Sequence, residues 1–293
     1  MSGLTADVKV AEELVRGSVD THVHIEALPH RRWNVFQLAK EAHEAGMRAI
    51  VLKNGYGLSS GIAHLANSIV GGVEMMGSIV LNRWIGGLNS VAVKDLAKYG
   101  SGTRVVSMPT LSSVNNHRRM GWPLDTAVPV SEKDELLPQV KEILGICADN
   151  NQVLYTGHLA PKETILLIEE ARKIGVKKIV VTHPLQIPVF ASLEEQEEMV
   201  KKGAFIEHCF VACTPYIAVR YRGLWNPLNP LEIVEAIRKV GPEHCVLGTD
   251  FGATQNPSAV EGFRMFIHLL LGFGVDRKSI ERMAKDNPTN LLD

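Results

Sequence analysis

No apolar run in the chain reaches the roughly 20 residues that a membrane-spanning helix needs. The longest, over residues 266–275, is interrupted by His268 and by glycines. Residues 1–16 carry Asp7, Lys9, Glu12 and Glu13 and no apolar core of the kind a secretory leader requires. Cysteine is sparse: Cys147, Cys209, Cys213 and Cys245 form no C-x-x-C pair, and four in 293 residues do not make a disulfide framework. A reducing, cytoplasmic setting is therefore expected. The formal net charge is -1 with no block of like charges, which argues against nucleic acid or an anionic membrane as partner. No G-x-G-x-x-G follows the first apolar run, which counts against a dinucleotide-binding sheet. There is no low-complexity linker to divide the chain, so one domain is expected, free to assemble as a homo-oligomer.

What is present is alternation. Short runs rich in β-branched residues are expected as strands over 19–24, 49–53, 74–81, 104–108, 152–158, 178–183, 204–208 and 245–250. Amphipathic stretches lie between them, among them 133–149 after Ser131, and a last helix is expected over 278–285. Ser59 or Ser60 suits a helix cap, and Pro161 and Pro230 suit first-turn positions. Strict strand–helix alternation implies a parallel sheet covered by helices. Eight units imply an α/β fold of the (β/α)8 TIM-barrel type as a single domain. Two connections, 109–132 and 209–229, are unusually long and follow strands. In such a barrel they belong to the catalytic mouth.

Chemistry-bearing residues gather at the same ends of these strands. His22 and His24 are two residues apart on the first strand, so both side chains face one side, with Val23 facing the helices. Two imidazoles at that spacing make a chelate suited to zinc, manganese or iron. His158, His183 and Asp250 close the fifth, sixth and eighth strands. Any one alone reads as a polar strand cap; together they point to a site for one or two divalent metal ions, zinc foremost.

The wording around these residues, Val19-Asp20-Thr21-His22-Val23-His24, Val51-Leu52-Lys53-Asn54 and Gly248-Thr249-Asp250-Phe251-Gly252, resembles a little-characterised amidohydrolase-like group of the amidohydrolase superfamily. The resemblance runs from Val19 to Asp250 and implies that His22, His24, His158, His183 and Asp250 are metal ligands, with Asp250 also the proton-transfer residue. The sequence departs from binuclear members on the fourth strand, where Arg104-Val105-Val106-Ser107-Met108 offers no bridging lysine or glutamate. Lys53, ending the second strand, is the substitute to consider, either carboxylated as a bridge or as a cation facing substrate.

Such a site would activate water, with Asp250 taking its proton and returning it to a leaving group. The expected activity is metal-dependent hydrolysis of an amide, lactone, other ester or phosphoester. Arg83, His117, Arg118 and Arg220 on mouth-facing connections suggest an anionic small-molecule substrate. The competing readings are a metal-dependent decarboxylase and a non-catalytic metal-binding scaffold. Glu207 and His208 end the seventh strand, where at most one of them points inward.

Overall fold

The computed structural model describes residues 8–29, 34–97, 103–221 and 225–293. Eight parallel strands pair in chain order. They are β1 (Val19–His24), β2 (Ala49–Lys53), β3 (Glu74–Val80), β4 (Thr103–Ser107), β5 (Val153–Tyr155), β6 (Lys178–Val181), β7 (Phe205–Cys209) and β8 (Cys245–Gly248). The sheet closes just beyond β8, where Val23 bridges Phe251, the Asp250 amide donates to His22 O at 2.7 Å and the His24 amide donates to Phe251 O at 2.7 Å. This is a single-domain (β/α)8 barrel. Its outer helices are α1 (Val35–Glu44), α2 (Ser60–Ile69), α3 (Ser90–Leu96), α4 (Pro138–Asp149), α5 (Pro161–Ile174), α6 (Leu193–Lys201), α7 (Pro230–Val240) and α8 (Ala259–Gly272). No described helix is long and apolar enough to cross a membrane.

The strands are apolar on both faces because each is covered twice, by helices outside and by opposing strands within. Ile50, Leu52, Ile79, Val106, Ile179, Val181, Ile206 and Leu247 belong to the core shared with the helices. Val19, Ala49, Val51, Met76, Val105, Val153, Val180 and Val246 fill the lower barrel interior, joined by Leu291 and Leu292 from the C-terminal helical segment. Above that layer the interior turns polar, with buried Thr21, Lys53, Ser107, Thr182 and Glu207. The bottom of the barrel is thus a packed plug, and its chemistry is confined to the C-terminal ends of the strands.

One irregularity governs the site. Val19 packs inside the barrel whereas Val23 packs against the helices, although simple alternation would put both on one face. The pairing of β1 with β2 shifts register between Asp20 and Val23. That slip reverses the side-chain phase. Asp20 anchors it, accepting from the Thr249 amide at 2.9 Å, the Thr249 hydroxyl at 2.7 Å and the His22 amide at 3.1 Å.

Local signals explain most helix boundaries. Ser192 with Glu195, and Asn229 with Glu232, form reciprocal capping boxes on α6 and α7, and Pro161 and Pro230 occupy first-turn positions. Two expectations need correction, and one helix adds to those expected. Residues 133–137 are not helical: Ser131–Glu132 and Glu135–Leu136 pair as a hairpin, turned by Lys133 and Asp134 at φ 49° and 64°. Two consecutive left-handed residues are the tight hairpin turn that matches strand twist, so α4 begins only at Pro138. Ser131 instead donates its hydroxyl to Glu163 at 2.6 Å. Ser59 caps nothing through its side chain, because its hydroxyl donates to Leu52 O at 2.7 Å. A further helix, Val8–Val15, precedes the barrel with Ala11, Leu14 and Val15 buried.

Candidate metal centre

The reversed phase of β1 brings His22 and His24 to face Asp250. Their Nε2 atoms lie 3.6 and 2.9 Å from Asp250 Oδ1. Behind them, His22 Nδ1 lies 3.0 Å from Glu207 Oε2, and His24 Nδ1 lies 2.6 Å from Glu26 Oε1. Each imidazole therefore stands between two carboxylates. A neutral ring carries one proton, which the rear carboxylate holds on Nδ1, leaving the Nε2 lone pair aimed at another acceptor. Two facing acceptors need a cation between them, either a second proton or a metal ion. A carboxylate behind a histidine is also the usual support of a ligating ring. The donor set of His22, His24 and Asp250 thus fits a divalent ion.

His183 and His158 continue the array. The His183 ring stacks on His22 with centroids 5.8 Å apart, and His158 meets His183 at 5.1 Å. These residues lie past the ends of β6 and β5, not within the strands. His183 and Asp250 have φ of 26° and 56°, both uncommon for side-chain-bearing residues, and such strain gathers at functional sites. Among the described residues His183 Nδ1 is buried without a hydrogen-bond partner. Burial, with His183 alongside, pushes the His158 imidazole well below its ordinary range. Burial likewise lowers His183. Both rings are consequently neutral, as metal ligation requires. Burial would raise the Asp250 carboxyl, but His22 and His24 outweigh it and hold the group below the ordinary carboxylate range. Gln186 Nε2 donates to Asp250 Oδ2 at 3.1 Å, fixing the far side of that carboxylate.

His158 depends on the turn before it. Gly157 has φ 62°, and a Cβ there would sit 2.4 Å from Met108 O and 2.5 Å from Pro109 O. Gly157→Ala is expected to destabilise the fold by about 1–3 kcal/mol from the backbone conformation alone, with the carbonyl contacts adding to it. Denaturant unfolding measures this, and unchanged stability would mean that the chain does not turn this way before His158.

Glu207 is the residue whose position the sequence did not decide. It is fully buried, faces inward, and accepts from the Thr21 hydroxyl at 2.9 Å as well as engaging His22. The Tyr155 hydroxyl joins the same cluster. Phe205 two residues earlier lines the barrel interior, so alternation along β7 carries Glu207 inward and His208 outward. Glu26, two residues beyond His24, also escaped the sequence reading.

A cleft of about 80 Å³ opens over the centre, floored by His22, His24, Lys53, His158, His183 and Asp250 and walled by Leu28, Tyr56, Leu111, Ile187, Ile217 and Tyr221. Lys53 is buried, its Nζ 3.3 Å from the centroid of the Tyr155 ring. Burial lowers its ammonium to about 8, partly offset by Glu207, so it is still largely charged near neutrality. Arg83, His117 and Arg118, expected as substrate contacts, do not line this cleft. Arg83 and Arg118 are exposed, and His117 is held inside its own segment, with Nδ1 2.5 Å from Pro123 O and its ring edge-on to Trp122. The side chain of Arg220 lies outside the described residues.

Residues 17–207 match a family described as a family of unknown function (DUF6282). That span takes in His22, His24, Lys53, His158, His183 and Glu207 but ends before Asp250. No match was found among curated proteins. Solved structures share the fold across nearly the whole chain. An amidohydrolase from Pseudomonas aeruginosa superposes with a TM-score of 0.65 at 14% identity, covering 96% of this chain and 98% of its own. A putative 2-pyrone-4,6-dicarboxylic acid hydrolase from Pseudomonas putida gives 0.56 at 14% identity, covering 94% and 97%. A 2,6-dihydroxybenzoate decarboxylase from Rhizobium gives 0.54 at 12% identity, covering 94% and 98%. These likenesses show that the chain shares the barrel fold of these enzymes.

Proposed function

We propose, for a chain that belongs to the DUF6282 family and has the amidohydrolase barrel fold, that it is a metal-dependent hydrolase of small amides, lactones or other esters. The observation that carries this reading is the placing of His22 and His24 each between two carboxylates, with both Nε2 atoms turned to Asp250. His22, His24 and Asp250 hold one divalent ion, zinc in the first instance, and His183 and His158 complete the centre or hold a second. Such an ion supplies Lewis-acid chemistry, bringing the pKa of a water molecule towards about 7 and polarising the substrate carbonyl.

The chain's own residues do the rest. Asp250 Oδ1 accepts the proton of the attacking water and passes it to the leaving group, while Gln186 keeps the carboxylate in place. Glu207 and Glu26 orient the two imidazoles and stabilise their ligating tautomers. Leu111 on one side of the mouth and Tyr216, Ile217 and Tyr221 on the other exclude water. Glu207→Gln keeps the shape of the side chain but removes the charge behind His22, and is expected to weaken metal binding by about 10–100-fold. A competition titration against a chelator reads that shift; unaltered affinity would reduce Glu207 to a packing residue.

The decarboxylase reading has support of its own, since a decarboxylase shares the barrel. The two reactions differ in whether water enters the product. Turnover in ¹⁸O-labelled water is expected to place label in the released acid. Carbon dioxide release with no label in the organic product would replace hydrolysis by decarboxylation.

A further inference from the structure

Lys53 stands out as a buried cation with no hydrogen bond or ion pair of its own among the described residues. Its side chain reaches inward from the end of β2, as alternation with Ala49 and Val51 requires, and rests on the face of Tyr155 from β5. That face offers one direction of attraction to an ammonium with three donors. Among the described residues no hydrogen bond or ion pair satisfies the others: Glu207 is committed to Thr21 and His22, and Asp250 to His24 and Gln186. The lysine is 3% exposed, so bulk water does not surround it either. It lines the cleft beside the histidine–aspartate centre, and none of the described arginines does.

We infer that Lys53 is the anion subsite of this cleft, receiving a carboxylate that the substrate carries next to its scissile bond. A charged donor in so dry a place is costly unless an acceptor meets it, and a ligand carboxylate meets it with charge-assisted bonds. The substrate class is then a compact carboxylic acid with a hydrolysable amide, ester or lactone on the same skeleton. Its carbon frame lies against Leu111, Ile187 and Ile217 while the carboxylate points down to Lys53. This inference rests on the hydrolase reading only for the fate of the scissile bond; the subsite itself follows from Lys53 and Tyr155.

Malonate is the probe, because one carboxylate can meet the metal centre while the other meets Lys53; malonamate has one carboxylate fewer. Calorimetry on the protein as purified is expected to give malonate about a tenfold or greater advantage over malonamate. In Lys53→Met, checked for an unaltered circular dichroism spectrum and metal content, the advantage is expected to vanish. Equal binding of the two ligands by the wild-type protein overturns the inference without any variant. So does an unchanged advantage in Lys53→Met, and so does loss of metal from that variant together with ¹³CO2 incorporation at Lys53 of the wild-type protein, which would make the residue a carboxylated bridge. Malonate selectivity through Lys53 in a chain that holds no divalent metal would leave the subsite standing and remove the hydrolase.

Discussion

If the proposed hydrolysis is right, Asp250→Asn is expected to lower turnover of the ester, lactone or amide substrate by about 10²–10⁴-fold, with the barrel intact. The amide keeps the volume of the carboxylate, and a side-chain oxygen can still accept from Gln186, which now lies 3.1 Å from Oδ2. What it loses is the negative charge facing His24 at 2.9 Å and His22 at 3.6 Å, and with it the acceptor for the proton of the attacking water. Metal is expected to stay bound or bind more weakly, because both imidazoles and their supporting glutamates are untouched. Steady-state kinetics beside metal analysis on the same preparation read both effects. Full turnover in the variant would move proton transfer to another group, and unaltered biological function would favour the non-catalytic scaffold.

His22→Ala is expected to cost about 3–5 kcal/mol of stability even in metal-free protein. The reason is Glu207, which is 0% exposed and has His22 Nδ1 3.0 Å from Oε2. Removing the imidazole takes from the buried carboxylate its nearest nitrogen partner, leaving the Thr21 hydroxyl and the more distant Lys53 charge, and opens a cavity beside it. The penalty therefore belongs to the surviving residue as much as to the missing one. Adding Glu207→Gln to His22→Ala is expected to recover part of the loss, whereas Glu207→Gln alone destabilises. Urea unfolding of the four proteins in chelator closes this cycle. A double variant no better than His22→Ala would show that Glu207 is not charged in the fold, contrary to the downward shift that His22 imposes against burial.

The strand count, the barrel and the polar strand ends were legible in the sequence because each rests on local pattern. Short β-branched runs, proline at helix starts and asparagine or serine caps all act within a few residues. What was not legible was orientation. In a strand apolar on both faces, nothing marks which residues point inward, so Glu207 and His208 could not be told apart. The slip in β1 was hidden for the same reason: His22 and His24 face the mouth through a register shift anchored by Asp20 and Thr249, 229 residues apart. The arginines misled for the opposite reason. Arg83 and Arg118 sit in segments near the mouth, yet long charged side chains turn readily to solvent. Lys53 on a rigid strand cannot do so, and among the described lysines and arginines it is the one that lines the cleft.

The proposed chemistry requires a metal ion held by His22, His24 and Asp250. Elemental analysis by mass spectrometry, on protein purified without added metal or chelator and on His22→Ala prepared in parallel, tests it most directly. At least one divalent transition metal per wild-type chain, lost in the variant, is the predicted result. A wild-type chain that carries none and takes up none when zinc is supplied, or a variant with undiminished metal content, would contradict it.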